Sequence, residues 1–162
     1  MFYKFNTENK KGAIKIKPNL EYNTLSVIGI DSSLMKNCVF KIVSGNNWFD
    51  LIRFDDSLNF AISKLLKELL ENNAVTGWSC FPIEIHDCER EYYVFQNTSK
   101  AGAILNLEAL NNYETENIDF DVSTWDSSDI FNLDKTLLNV CTERVKNILE
   151  KAKIRNIEFR PL

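Results

Sequence analysis

The sequence predicts an α+β fold, a single domain over residues 1–162 in which strand-helix-strand modules pack on an antiparallel or mixed sheet. Three observations predict it. Segments of period-two alternation flank two segments of helical period. Residues 50–83 recur without a gap as residues 129–162, at a fixed offset of 79 (129 − 50). A chain of 162 residues that is 44% hydrophobic can bury one sizeable core but not two comfortable ones.

Residues 1–47 form an N-terminal strand region with no counterpart elsewhere in the chain. Phe2-Tyr3-Lys4-Phe5 and Ala13-Ile14-Lys15-Ile16-Lys17 alternate as half-buried strands do, and Asn6 to Gly12 connects them. Pro18 to Asn23 reads as loop and Leu25 to Ile30 as a further strand, before Asp31-Ser32-Ser33 and Ser44-Gly45-Asn46-Asn47 interrupt the pattern. Trp48 to Phe54 is aromatic and β-rich, hence a strand turned by Asp55-Asp56-Ser57.

From Ser63 the period changes. Leu65, Leu66, Leu69 and Leu70 form an apolar stripe while Lys64, Lys67, Glu68 and Glu71 face outwards. Asn72-Asn73 and Gly77 end this helix, with Gly77 expected at positive φ just beyond it. Trp78 to Ile85 then reads as a strand, paired with Tyr92 to Gln96 across the charged turn Asp87 to Glu91. Pro82 cannot donate to a ladder and marks an edge position or a bulge. Ala103 to Leu110 fits either type of element. In the second copy Ile130 to Leu133 is a strand, Thr142 to Lys151 a helix and Ile157 to Arg160 a terminal strand.

Only 7 of the 34 aligned positions are identical (Asp50, Asp55, Leu58, Lys67, Leu70, Glu71, Pro82), but the residue chemistry agrees where the backbone needs it. Ser63 and Thr142 each precede an apolar-periodic run, where a hydroxyl can cap a helix. Gly77 and Asn156 are the two residue types that most readily turn left-handed. Two copies are too few for a solenoid and suit a pseudo-symmetric domain instead.

Lys+Arg 19 against Asp+Glu 23 leaves a formal charge of −4, and the only basic cluster is Lys10-Lys11 with Lys15 and Lys17. Nucleic acid is therefore not an expected partner. The N-terminus lacks the apolar core of a signal peptide and no apolar run reaches membrane-spanning length, so the expected location is the cytoplasm, with no membrane partner. Cys38, Cys80, Cys88 and Cys141 follow no disulfide framework and read as free thiols. Cys80, His86 and Cys88 crowd together but lack the fourth ligand of a structural zinc, so no metal is expected.

Catalytic components are scarce. The single histidine, His86, reads better as an exposed turn residue than as half of a Cys–His pair. Asp55-Asp56 reads as turn chemistry near a helix N-terminus, and none of the five glycines lies in a phosphate-binding pattern. The segment from Glu114 to Asp129 carries six carboxylates and no Lys or Arg, with Tyr113, Phe120 and Trp125 interleaved. Aromatic anchors among acidic groups suit a protein-binding surface, formed here by Tyr113, Asp119, Phe120, Asp121, Trp125 and Asp126.

The helix begun by Ser63, the stop at Gly77 and the ending Phe81-Pro82-Ile83, followed by the same order from Asp129-Ile130-Phe131 through Thr142 to Phe159-Arg160-Pro161-Leu162, resembles the bacterial immunity proteins of polymorphic toxin systems. The resemblance covers roughly residues 48–162; Asn156 departs from the family's glycine. It implies a non-enzymatic cytoplasmic protein that binds and neutralises a cognate toxin, without catalytic residues or cofactor. A non-immunity adaptor module, or a small enzyme using His86, are the alternatives.

Overall fold

The computed structural model describes residues 1–21, 38–56, 58–112, 117–134 and 136–162. The expected strand Leu25 to Ile30 lies outside the described residues, as do Asp31-Ser32-Ser33 and Ser57. The strands are β1 (Phe2–Thr7), β2 (Lys15–Pro18), β3 (Val39–Ser44), β4 (Leu51–Phe54), β5 (Phe60–Ser63), β6 (Trp78–Ile85), β7 (Tyr92–Asn97), β8 (Lys100–Ala101), β9 (Ile130–Leu133), β10 (Asn139–Thr142) and β11 (Ile157–Pro161). Helix α1 (Lys64–Asn72) follows β5 and helix α2 (Glu143–Lys151) follows β10. Two mixed sheets result: a closed barrel in the order β2-β3-β6-β7-β5-β4, and a five-stranded sheet in the order β11-β1-β10-β9-β8. The domain is α+β.

Each helix is led in by a hairpin that closes on a turn of its own side chains. In the first, Asp56 Oδ1 accepts from the Leu58 and Asn59 amides at 2.8 and 2.9 Å, so Asp55-Asp56 belongs to turn architecture. Leu51 then pairs with Ile62; in the second hairpin Ile130 pairs with Cys141. Ser63 Oγ caps α1 by accepting from the Leu66 amide at 3.2 Å. Thr142 occupies the same place before α2 but makes no side-chain cap bond.

The sequence reading omitted β5 and β10, taking each module as strand-helix-strand. Phe60, Ala61 and Ile62 are all buried, as are Val140 and Cys141, so these strands are only four residues long and show no polar alternation to detect. Leu65 is a second correction: it is 57% exposed, and the buried stripe of α1 is Leu66 and Leu70.

The third concerns the helix end. Gly77 does hold a positive φ of 87°, but the left-handed residue that closes α1 is Ala74, at φ 49°, with the Val75 amide returning to the Leu70 carbonyl at 3.0 Å. Lys153 and Ile154 repeat this after α2, at φ 56° and 3.1 Å. Gly77 is required for another reason: a Cβ there would lie 1.8 Å from the Ile130 carbonyl oxygen. Pro82 and Pro161 stand where a missing donor costs little. Pro82 pairs on one side with Tyr93, and Pro161 lies on the outermost strand, opposite Tyr3.

A central core lies between the two helices and both sheets. Leu66 and Leu70 of α1 meet Val145 and Leu149 of α2, together with Phe5, Leu51, Ile62, Phe95 and Ile130. Two carboxylates cross this junction. Asp50 Oδ2 accepts from the Arg155 amide at 2.9 Å, and Asp129 Oδ2 accepts from the Thr76 amide at 3.1 Å. A second core fills the barrel around Phe40, Phe54, Phe81 and Val94. A third lies on the open sheet under residues 102–128, around Phe120, Phe131 and Val140.

Candidate functional site

Residues 102–112 and 117–128 fold back across the open sheet as a flap. Ile104 bridges Phe120, the Leu105 amide donates to the Asp119 carbonyl and the Asp121 amide to the Ala103 carbonyl, both at 2.8 Å. Gly102 permits the close approach, since a Cβ there would lie 2.4 Å from the Phe120 ring.

Phe120 and Trp125 turn inward. Phe120 is 9% exposed, with its ring centroid 5.1 Å from that of Phe2, and Trp125 stands 5.0 Å from Phe2 on an adjoining edge. Trp125 Nε1 also donates to the Ser128 carbonyl at 3.0 Å, which satisfies its polar handle inside the fold. Phe120 belongs to the core, and Trp125, partly buried, packs against it. Tyr113 lies outside the described residues.

Asp119, Asp121 and Asp126 remain on the outer side, where Asp119 and Asp126 are exposed and Asp121 half-buried. The Ser123 hydroxyl and amide, donating at 2.6 and 2.9 Å, hold the Asp121 carboxyl below the ordinary range. Asp126 is lowered too, by the Ser128 hydroxyl first and then by that of Ser99. In the same segments Leu105, Leu107 and Val122 are all more than half exposed. Sequence reading missed these three, although the alternation of Leu105 and Leu107 with Asn106 was the available signal.

A cleft opens at the other margin of the same sheet. The cleft has a volume of about 430 Å³, and its lining includes Leu58, Leu110, Leu137 and Leu138 as well as Lys4, Glu158 and Arg160. Lys4 of β1 and Arg160 of β11 are direct cross-strand partners. Arg160 Nη2 donates to Glu158 Oε2 at 3.3 Å. Burial and the nearby Arg160 charge lower the Lys4 ammonium below its usual value.

None of the cysteines, nor the histidine, lines the cleft. The His86 side chain is 72% exposed and contacts Asp87 at 3.3 Å. Burial raises the Cys80 thiol and pushes that of Cys141 up to about 12, which favours the unreactive thiol over the nucleophilic thiolate. Among the described residues no three His, Cys, Asp or Glu side chains come together as a metal site. No helix of the described residues is long and apolar enough to cross a membrane. No family model matches the chain, and no curated protein matches it in sequence.

Proposed function

We propose that this chain is a cytoplasmic immunity protein, without enzymatic activity, that binds and neutralises a cognate bacterial toxin through the outer face of the flap. One observation carries the reading: the flap sets the exposed Leu105 beside the exposed Asp119, whose carbonyl accepts from the Leu105 amide, with the exposed Leu107, Val122 and Asp126 and the half-buried Asp121 along the same segments. Apolar groups supply contact area, and carboxylates around them steer a basic partner and accelerate encounter. Neutralising a lethal enzyme calls for nanomolar affinity or better, about −12 kcal/mol. An interface of ordinary size, about 800 Å² on each partner, provides it when a few anchors are well buried.

The same proposal takes the two halves as copies of one module. Hairpin, helix and following strand begin at the same offset, with β4 at Leu51 and β9 at Ile130, and the hairpin registers agree. The correspondence also reaches beyond the recurring sequence. Tyr93 of β7 lies opposite Pro82 and Ile62, while Tyr3 of β1 lies opposite Pro161 and Cys141. The N-terminal strand thus takes in the second half the place that β7 takes in the first.

The test is protection and binding with the protein encoded beside this chain's gene. Cells making both proteins should survive where the toxin alone kills. Asp119→Lys should slow association, and Leu105→Ala with Leu107→Ala should speed dissociation. Asp121 and Asp126 are less suitable targets because their carboxylates also hold local backbone. Unchanged kinetics in these variants sink the flap as the interface. Tight binding without protection favours an adaptor instead, and neither binding nor protection ends the immunity reading.

A further inference from the structure

The basic cluster of the sequence carries an inference independent of toxin binding, because the fold regroups it on the outside of the barrel. Lys10 is drawn into an ion pair with Glu8 at 3.2 Å. On β2 Ile16 and Pro18 are buried, and the alternation of a strand turns Lys15 and Lys17 to the outer face. Lys41 of β3 stands directly opposite Lys17, and Arg53 of β4 directly beside Lys15. Four cations from three neighbouring strands thus share one face. Adjacent strands lie about 4.8 Å apart and alternate residues about 6.8 Å, so the cations form a compact grid on a rigid, closed sheet.

Elsewhere the chain neutralises its cations from within: Lys64, Lys67, Arg144 and Lys146 each hold a carboxylate within 2.8 Å. Among the described residues, Lys15, Lys17, Lys41 and Arg53 make no ion pair and no side-chain hydrogen bond. Asp55, exposed at the end of β4, is the nearest carboxylate in register, since its amide donates to the Ile16 carbonyl at 3.0 Å, yet it pairs with none of them. Glu84 lies a strand further on, beside Val39. Like charges directly opposite across a strand pair repel, and here two such pairs share β2 in a chain whose formal charge is −4. Val43, two residues along β3 from Lys41 and 48% exposed, adds apolar surface beside them.

We propose that this outer barrel face docks an acidic protein segment in extended conformation, its carboxylates at alternate positions meeting Lys15, Lys17, Lys41 and Arg53. An extended chain repeats the side chains of one face at the same spacing that separates Lys15 from Lys17, and its carboxylates relieve the cross-strand repulsion. β2 has partners on both sides in the closed barrel, so contact runs from side chain to side chain rather than through a sheet edge. Complementary charge then fixes the register, and an apolar group of the segment covers Val43.

The probe is an end-blocked octapeptide of alternating Glu and Thr, titrated into the whole protein and followed by amide and side-chain NMR shifts. Saturable shifts at Lys15, Lys17, Lys41 and Arg53 are expected, with a dissociation constant of about a millimolar, because exposed ion pairs are individually weak. Raising the salt from about 20 to about 200 mM should weaken binding at least about threefold. A peptide with Gln for Glu removes the charge, and one with its four Glu in a single block keeps the charge but loses the spacing; each should bind at least about threefold more weakly. The variant Lys15→Gln/Lys17→Gln/Lys41→Gln should lose the shifts while retaining its thermal unfolding transition. Should it unfold, Lys41→Gln alone replaces it, at an exposed position. Shifts absent from this face, the block peptide binding as tightly as the alternating one, or undiminished binding by the folded variant overturns the proposal. Tighter binding of octathymidylate, or of vesicles rich in phosphatidylserine, also overturns it and assigns the face to phosphate.

Discussion

The barrel half and the open-sheet half use the same hairpin-helix-strand order with opposite treatment of one surface. In the barrel, β3 joins β2 to β6, and Phe40, Phe54, Phe81 and Val94 fill the enclosed interior. On the open sheet, among the described residues, no strand joins β8 to β11, and the flap covers only part of the corresponding face. Closure demands apolar side chains at every inward position, whereas an open margin tolerates Lys4 and Arg160. The open-sheet half carries the cleft and the acidic flap.

The contrast is most sharply tested by exchanging the residues that express it. Val94→Lys places an ammonium inside the closed barrel, at a position with 0% exposure, and should cost about 4 kcal/mol or more. Urea denaturation measures it; a loss below about 1 kcal/mol would show that the barrel opens more readily than its pairing implies.

Gly77→Val comes next, because the new side chain meets the Ile130 carbonyl as well as a φ of 87°. A destabilisation of about 3 kcal/mol is expected, beyond the conformational cost alone. The counterpart Asn156 behaves differently despite its φ of 67°. Its side chain donates to the Leu51 carbonyl and accepts from the Lys10 amide, both at 2.9 Å. Asn156→Gly should therefore destabilise by about 1–2 kcal/mol, although backbone conformation alone would make glycine neutral there. Thermal melts that rank the two variants equally would reject this difference in role.

Alkaline stability separates the halves more gently. Tyr92 donates to the Phe49 carbonyl at 2.6 Å, and burial pushes its phenol up to about 12 from 10.0. The folded state then keeps a proton that the unfolded chain releases, so stability should fall as pH rises from about 10 to about 12. Tyr92→Phe should reduce that slope, read from denaturation midpoints across the interval. The smallest effect belongs to Lys4→Val, the barrel's residue carried to the open sheet. A change within about 0.5 kcal/mol is expected, and a loss as large as that of Val94→Lys would erase the distinction between the halves.

Particular residues show how far sequence reading reached. Ser63 as cap and the Asp55-Asp56 turn follow from local backbone chemistry and appear in the structure, whereas Pro82 sits not at a sheet edge but on β6, between β3 and β7 of the closed barrel. The short strands before each helix did not, because full burial removes the alternation that identifies a strand. In the flap the three aspartates face outwards as their charge requires, while Phe120 and Trp125 find cover against Phe2 from the chain's other end. Lys4 and Arg160 meet for the same reason: nothing local in either segment announces the other.

By itself, then, the sequence determined what depends on near neighbours and spacing: two amphipathic helices, their start signals, the turns and the offset at which they recur. Tertiary structure alone decided that β3 closes one sheet, that Phe2 covers the flap's aromatics and that Lys4 and Arg160 stand opposite each other on neighbouring strands. Those outcomes rest on contacts between distant segments. Their free energy comes from burial and pairing that exist only once both partners are in place.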